Sequence, residues 1–206
     1  MKTLTREEYL NEAKKELAKI FKTTNVKIHR KVKISCGFPI SNNRPSSKSS
    51  YRVGECWKVE SSTNSFNEIF INPTISDSIE VIGILAHELI HATDNGASGH
   101  RNYFRKTALA IGLTGKMTAT TIGDDLRLKI KGIVKRLGKY PHAKLDISTR
   151  KKQTTRLIKI ECIVCGAKFR TARSTLDNAT VNISEANCIA CGRSGTLESE
   201  YTPIGH

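Results

Sequence analysis

The spacing of apolar residues predicts four helices in the first two thirds of the chain. The first covers 5–22 and opens with a capping box formed by Thr5 and Glu8. The second begins after Asp77 and runs through His91. It is apolar nearly all round ahead of its histidines, which is typical of a helix at the centre of a domain. Two more helices are predicted over 100–111 and 124–137, each ending before a glycine.

Apolar and polar residues alternate with a period of two between the first two helices. This alternation predicts strands over 25–34, 51–60 and 68–72, with a polar loop over 41–50 between the first two strands. The order of elements favours an α+β domain over 1–147, with an N-terminal helix, a small antiparallel or mixed sheet and three further helices. A basic linker over 148–155 then leads into a cysteine-bearing tail over 156–206.

The predicted second helix contains the segment HELIH, a pattern found in zinc peptidases. His87 and His91 are four residues apart, so both imidazoles can reach one metal ion from the same side of a helix. Glu88 lies on the adjoining face, where its carboxylate can act as general base on a zinc-bound water. Tyr103 and Tyr140 are candidate donors to the oxyanion, but such residues are more often simply half-buried aromatics.

A catalytic zinc needs a third protein ligand and one open position. A glutamate is excluded because none occurs over 89–160, and the HExxHxxGxxH pattern fails at Asp94 and Ala97. The remaining candidates are Asp94, His100 and His142. We favour His100, because the glycine-rich turn ahead of it would let the chain fold back toward the metal.

The tail carries two CxxC pairs separated by 22 residues. Their members are Cys162, Cys165, Cys188 and Cys191. A glycine follows each pair and permits a tight turn, so the pattern predicts a four-cysteine zinc ribbon over 156–206. The chain would then hold two Zn²⁺ ions, one catalytic and one structural. Cys36 and Cys56 match no metal spacing and are interpreted as small buried hydrophobic residues.

The chain is strongly basic, with 34 Lys and Arg against 19 Asp and Glu and a formal charge of +15. Residues 89–160 contribute +12 of this charge, from 16 basic and four acidic residues. Such a surface attracts polyanions through counterion release, so DNA or another nucleic acid is the expected partner. The residues that we expect to contact its backbone are Lys151, Lys152, Arg156, Lys168 and Arg170.

The segment HELIHATDNGASGHRNYFRKTALAIGL resembles the SprT-like metallopeptidases, which are related to the Spartan proteases. In that family HExxH is followed by a variable loop, a third histidine and an aromatic residue on the next helix. The resemblance is closest to SprT-like proteins of bacteriophages and extends over residues 26–195, through CGFP, GECW, EIFINP, GKMTAT and YPHA. It implies that His87, His91 and His100 are the zinc ligands and that Glu88 is the catalytic base.

By analogy with zincins, the resemblance also implies that the strand over 68–72 is an edge that pairs with an extended peptide substrate. In the Spartan relatives the substrates are proteins bound or crosslinked to DNA. We therefore expect a zinc-dependent endopeptidase that acts on proteins on or near nucleic acid. The alternative is a nucleic-acid-binding or transcription-associated zinc protein without peptidase activity, although a purely structural metal site has no need of Glu88.

The apolar runs of the chain fall far short of the roughly 20 residues that cross a bilayer. The N-terminus also lacks the uninterrupted apolar core of a signal peptide. We therefore expect a cytoplasmic protein that is not secreted and has no membrane partner. If a phage encodes it, the compartment would be the host cytoplasm.

Overall fold

The computed structural model describes residues 4–29, 31–39, 52–149 and 157–201. The chain divides into two compact units, Met1–Ile147 and Ser148–His206, and the fold is α+β. The predicted loop over 41–50 and the predicted linker beyond residue 149 lie outside the described residues. No described helix combines the length and the apolar character that crossing a membrane requires.

All four predicted helices of the first unit are confirmed. They are α1 (Arg6–Thr23), α2 (Ser78–Thr93), α3 (Asn102–Ile111) and α4 (Asp124–Leu137). Thr5 and Glu8 form the predicted capping box of α1. At the start of α2, the Asp77 carboxylate accepts a hydrogen bond from the backbone N–H of Glu80. Gly112 ends α3 with φ at 100°, a left-handed conformation that favours glycine.

Three strands form a mixed sheet that packs against α1 and α2. They are β1 (Val32–Cys36), β2 (Gly54–Trp57) and β3 (Asn67–Ile71), in the order β1-β3-β2. β3 pairs parallel to β1 and antiparallel to β2. The expectation that the strand over 68–72 is an edge is therefore wrong, because β3 lies between the other two. β2 is the edge strand on the side of α2, and no described strand pairs with its outer side.

Two predicted strands are shorter in the structure. The strand predicted over 25–34 begins only at Val32, because no described strand lies opposite residues 26–29. The strand predicted over 51–60 is reduced to β2, and a 3-10 turn at Val59–Ser61 follows it. A hairpin of β4 (Leu113–Lys116) and β5 (Ala119–Ile122) was not predicted, because its two-residue turn lacks the Asn or Gly typical of hairpins.

The core of the first unit surrounds α2, ten of whose 16 residues are buried. Apolar side chains from α1, α3, α4, β1 and β3 pack around it, including Leu17, Phe21, Ile34, Ile69, Phe104 and Ile130. The prediction of a central helix is thus confirmed. Because α2 is fixed on several sides, the histidines in its last two turns have a rigid support.

The second unit is much smaller. Its elements are β6 (Ile158–Cys162), β7 (Lys168–Thr171), α5 (Arg173–Asp177) and β8 (Leu197–Ser199), and the strands form an antiparallel sheet in the order β7-β6-β8. Its buried hydrophobic cluster consists of Ile160, Cys162, Leu176, Cys188 and Leu197. Two of these five residues are cysteines of the CxxC pairs, so the sheet and the cysteine cluster share one core.

Candidate metal centres and catalytic cleft

The three histidines converge on one point. Nε2 of His100 lies 3.2 Å from Nε2 of His91 and 3.3 Å from Nε2 of His87. Two nitrogens bound to one zinc ion at tetrahedral angles lie about 3.3 Å apart, given zinc–nitrogen bonds of about 2.0–2.1 Å. The spacing of these atoms therefore fits a single ion of that size, and these residues form a group that could hold a metal.

The loop between α2 and α3 brings His100 back to the helix. The Asp94 carboxylate accepts hydrogen bonds from the backbone N–H groups of Gly96 and Ser98, at 3.1 and 2.9 Å. Asn95 and Gly96 have positive φ angles of 54° and 68°, which reverse the chain after the helix. Asp94, an alternative third ligand from the sequence, thus shapes the loop and is not part of the ligand group.

The other sequence candidates lie elsewhere. Nε2 of His142 is 2.7 Å from the carbonyl oxygen of Pro73 and is not part of the cluster. Tyr140 is buried in the core with its ring 5.3 Å from that of Tyr9. The hydroxyl of Tyr103 donates to Thr93 Oγ1 on the outer side of α3. Neither tyrosine lines the cleft described below.

Phe104 closes the histidine cluster from beneath. This fully buried ring lies 4.6 to 4.9 Å from each of the three imidazole rings. Burial lowers the pKa of His87 to about 3 and the pKa of His91 to about 4, and it also lowers the pKa of His100. At neutral pH the three rings are therefore uncharged, which is the form that binds a metal.

Glu88 lies beside the cluster, beneath the edge strand β2. Its side chain is buried, with only 6% of the residue surface exposed. Burial raises its pKa to about 8, with a smaller contribution from Glu55 and an opposing one from Arg52. A Cβ atom at Gly54 would lie 2.7 Å from Oε1 of Glu88, so the missing side chain makes room for the carboxylate. Sequence analysis missed Gly54, although the GECW motif contains it.

A cleft of about 1060 Å³ opens over the histidines and Glu88. Its walls come from β2, α2, the loop before α3 and the β4–β5 hairpin, and include Arg52, Glu55, Lys58, Ile84 and Thr120. Arg52 and Glu55 form an ion pair at its rim. Oγ1 of Thr120 lies 2.8 Å from Nδ1 of His87. Sequence analysis missed this residue too, although the GKMTAT motif includes it.

The four cysteines of the second unit form the other cluster. Sγ of Cys162 lies 3.9 Å from that of Cys191, and Sγ of Cys165 lies 3.7 Å from that of Cys188. Thiolates on one zinc ion at bonds of about 2.3 Å are about 3.8 Å apart. A hydrogen bond with the Thr196 hydroxyl is the main factor that lowers the pKa of Cys162 to about 6, and this favours its thiolate.

Glycines form the predicted tight turns beside these cysteines. Gly166 and Gly192 have φ angles of 70° and 74°, and their N–H groups donate to the carbonyl oxygens of Cys162 and Cys188. Cys36 and Cys56 are only half-buried, so their interpretation as buried residues is partly wrong. Neither belongs to a possible metal group within the described part of the chain.

The nucleic-acid residues predicted in the tail are only partly described. Lys168 and Arg170 are exposed on the edge strand β7, on the same face of the sheet as Lys159 and Glu161. Glu161 forms ion pairs with both lysines, so this face is only partly cationic. The residues Lys151, Lys152 and Arg156 lie outside the described residues.

Comparisons with known protein families, with curated proteins and with solved structures each found no match for this chain. The geometry of the two clusters and of the cleft is therefore the basis for the functional argument.

Proposed function

We propose that the protein is a zinc-dependent endopeptidase of the SprT-like type, with a zincin-like domain over 1–147 and a zinc ribbon in the cysteine-bearing tail. The observation that carries this proposal is the joint geometry of the HELIH residues. Three uncharged imidazoles are spaced for one ion, and a buried carboxylate lies next to them under an open strand edge. His87, His91 and His100 would hold the catalytic zinc.

Zinc in this position would supply a Lewis acid that lowers the pKa of a coordinated water to about 7. Glu88 would take up a proton at its carboxylate and deliver it to the leaving amine. The burial of Glu88 supports this role, because an unused carboxylate in this place would only destabilise the fold.

The substrate would be an extended peptide paired with the outer side of β2. β2 is an edge strand among the described residues, and it lines the cleft over Glu88. Addition of a strand to such an edge provides backbone hydrogen bonds that do not depend on sequence, which suits an enzyme with many protein substrates. β2 thus takes the role that the sequence analysis assigned to the strand over 68–72.

A nucleic acid would bring the enzyme to its substrates. On α4 the exposed residues Arg127, Lys131 and Lys135 recur at intervals of four and form a basic stripe on one side of the helix. None of them forms an ion pair with a described acidic residue. Arg127 also lines the cleft, so the stripe begins at the proposed catalytic site. Together with Lys168 and Arg170 of the ribbon, these cations would bind the phosphate backbone.

Replacement of Glu88 by glutamine tests the peptidase proposal against the alternative of a binding protein without activity. The amide keeps the size of the side chain but cannot accept the proton. We expect cleavage of an unfolded protein substrate, assayed with and without DNA, to fall by about 10²–10⁴-fold. Zinc content and DNA affinity should not change.

The matched control is Glu12→Gln, the same chemical change on the surface of α1, where the carboxylate only pairs with Lys15. Its cleavage rate should equal that of the wild type. If the wild type and Glu88→Gln are equally inert while DNA binding persists, the protein is a binding module and not a peptidase.

A further inference from the structure

The β4–β5 hairpin contacts the histidine cluster through Thr120. Oγ1 of Thr120 lies 2.8 Å from Nδ1 of His87. The Nε2 atoms of the three histidines face one another, so an ion between them would take the Nε2 lone pair of each ring. Nδ1 of His87 then carries the ring hydrogen and donates it to the Thr120 hydroxyl.

This contact has no equivalent on the other two histidines. Neither His91 nor His100 has a hydrogen-bonded Nδ1 within the described parts of the chain. Packing against Phe104 limits all three rings, but packing alone permits small rotations about the ring axis. A hydrogen bond at Nδ1 fixes both the ring plane and the direction of the Nε2 lone pair.

The hairpin reaches this position because of a glycine in α2. Gly83 lies one helical turn before His87, on the same face. A Cβ atom at this position would lie 2.4 Å from Cδ1 of Ile122, so a side chain at Gly83 would push β5 away from the helix. Glycine inside a helix is less stable than alanine by about 1 kcal/mol. The close approach of β5 is the physical reason for a glycine here.

The spacing of the strand matches the spacing of the helix. Gly83 and His87 are four residues apart, which is a rise of about 6 Å along α2. Ile122 and Thr120 are two residues apart on β5, so they share a face and are separated by about 6.8 Å. When Ile122 packs on Gly83, Thr120 is therefore brought to His87.

We infer that Thr120 is a positioning residue of the histidine metal site. The missing side chain at Gly83 lets β5 pack close to α2 and so places Thr120 within hydrogen-bonding distance of His87. The inference rests on the metal site of the proposed function, but it does not require that the protein cleaves peptides. Its direct consequence is the affinity of the site for zinc.

The test is the zinc affinity of the full-length chain, measured by competition with a chelator. Cobalt substitution would identify which site is filled, because imidazole and thiolate sites absorb differently. Thr120→Val keeps the shape of the side chain but removes the hydroxyl. We expect it to weaken the histidine site by about 10–100-fold, the usual effect of losing such a partner. Thr120→Ser should keep the affinity of the wild type, because its hydroxyl remains.

Thr114→Val is the matched control. The Thr114 hydroxyl bonds to that of Thr121 at 2.9 Å on the same hairpin and does not touch the histidines. Its loss should leave the zinc affinity unchanged. Gly83→Ala should weaken zinc binding by displacing β5, and the double variant Gly83→Ala with Thr120→Val should be less impaired than the two effects multiplied, because both act through one contact.

Unchanged affinity in Thr120→Val, or equal losses in the Val and Ser variants, would overturn the inference. The Thr120 variants decide this even if Gly83→Ala fails to fold. Failure of the proposed function has a different signature. In that case the wild type binds zinc at the histidines with a dependence on Thr120, yet cleaves no substrate with or without DNA.

Discussion

The histidine cluster and the cysteine cluster differ in their relation to the hydrophobic core. The three histidines are half-buried and contact the large core of the first unit through Phe104, which belongs to it. In the second unit, Cys162 and Cys188 are two of the five buried hydrophobic residues. The histidine site therefore lies against a core that other residues form, whereas two cysteines of the second site are themselves core residues.

A metal ion would therefore have a different role in each unit. Four thiolates complete a tetrahedral site, so an ion there would supply stability that the small hydrophobic core of the second unit lacks. Three imidazoles leave one position open, and their geometry comes from Phe104, Thr120 and the loop at Asp94. The first unit should thus fold without metal, and the second should not.

The largest effect is expected for Cys162→Ser combined with Cys165→Ser. Structural zinc contributes about 10–16 kcal/mol to the folding of comparable small sites, so the second unit should unfold. Metal analysis should show the loss of one zinc ion. Hydrogen exchange should show lost protection over 157–201 only.

The matched experiment is His87→Ala combined with His91→Ala in the other cluster. It should also remove one zinc ion, but amide protection should persist in both units. The comparison between the sites breaks down if the second unit stays protected without its cysteines, or if the first unit unfolds without its histidines.

Glu88→Gln should stabilise the zinc-free protein in a pH-dependent way. Burial raises the pKa of Glu88 from 4.5 to about 8, so the folded state keeps a proton that the unfolded state has lost between these values. The contribution of this group to stability therefore falls as the pH rises from 4.5 to about 8. Glutamine removes the penalty, so the variant should be more stable by a few kcal/mol, on the order of 1.4 kcal/mol per pKa unit, above pH 8.

Urea unfolding of zinc-free wild type and variant at pH 5 and pH 8.5 measures this difference. The low pKa values of His87 and His91 make stability rise with pH up to about 6.5, but they act equally in both proteins and cancel. If the unfolding free energies of wild type and variant differ equally at both pH values, the first site does not contain a buried ionisable group at residue 88.

Gly54→Ala should damage the first site without removing its metal. The added methyl group would meet Oε1 of Glu88 and Cγ2 of Ile84, both at 2.7 Å. Overpacking of this kind destabilises a protein by about 1–3 kcal/mol, and we expect it to displace the carboxylate. Peptidase activity should fall while two zinc ions remain.

The control for Gly54→Ala is Gly132→Ala on α4, where the nearest atom to a new Cβ is Nη1 of Arg136 at 3.6 Å. Alanine should be tolerated or stabilising there, because glycine is unfavourable inside a helix. Full activity in Gly54→Ala, measured beside this control, would show that Glu88 does not need the space under β2.

The smallest effect concerns which unit binds nucleic acid more strongly. Lys131 lies in the basic stripe of α4, where no described acidic residue pairs with it, whereas Lys168 shares Glu161 with Lys159. In DNA titrations at several salt concentrations, Lys131→Ala should make the negative slope of log affinity against log salt less steep by about 0.9. Lys168→Ala should reduce the steepness of this slope by less. The reverse order would place the main contact in the second unit.

Local signals in the sequence were enough to predict the four helices of the first unit and both ligand groups, but not the short helix α5 of the second unit. The capping box at Thr5 and Glu8, and the glycine after residue 137, depend only on neighbours within one or two turns. The HELIH spacing and the two CxxC pairs are equally local. His100 was harder to predict as the third ligand, because its position depends on the path of a loop. The choice was still narrow, since Asp94 and His142 were the only other candidates.

Contacts between distant segments could not be predicted in this way. The expectation that the strand over 68–72 is an edge failed, because strand order depends on pairing and not on alternation. Gly54, Gly83 and Thr120 carry no local pattern that marks them as part of a site. Each matters only because another segment comes close: His87 lies 2.8 Å from Thr120 Oγ1, and a Cβ atom at either glycine would meet a neighbouring side chain within 3 Å.

Residue type and helical spacing decide the chemistry of a site, so the sequence already specified which groups can bind metal and accept protons. It also determined that the chain is cationic and divides between a helix-rich part and a cysteine-bearing tail. Three contacts arise only when the chain is folded: β2 covers Glu88, β5 lies on Gly83, and Phe104 supports all three imidazoles. These contacts join residues far apart in the chain, and close packing of the core is what brings them together.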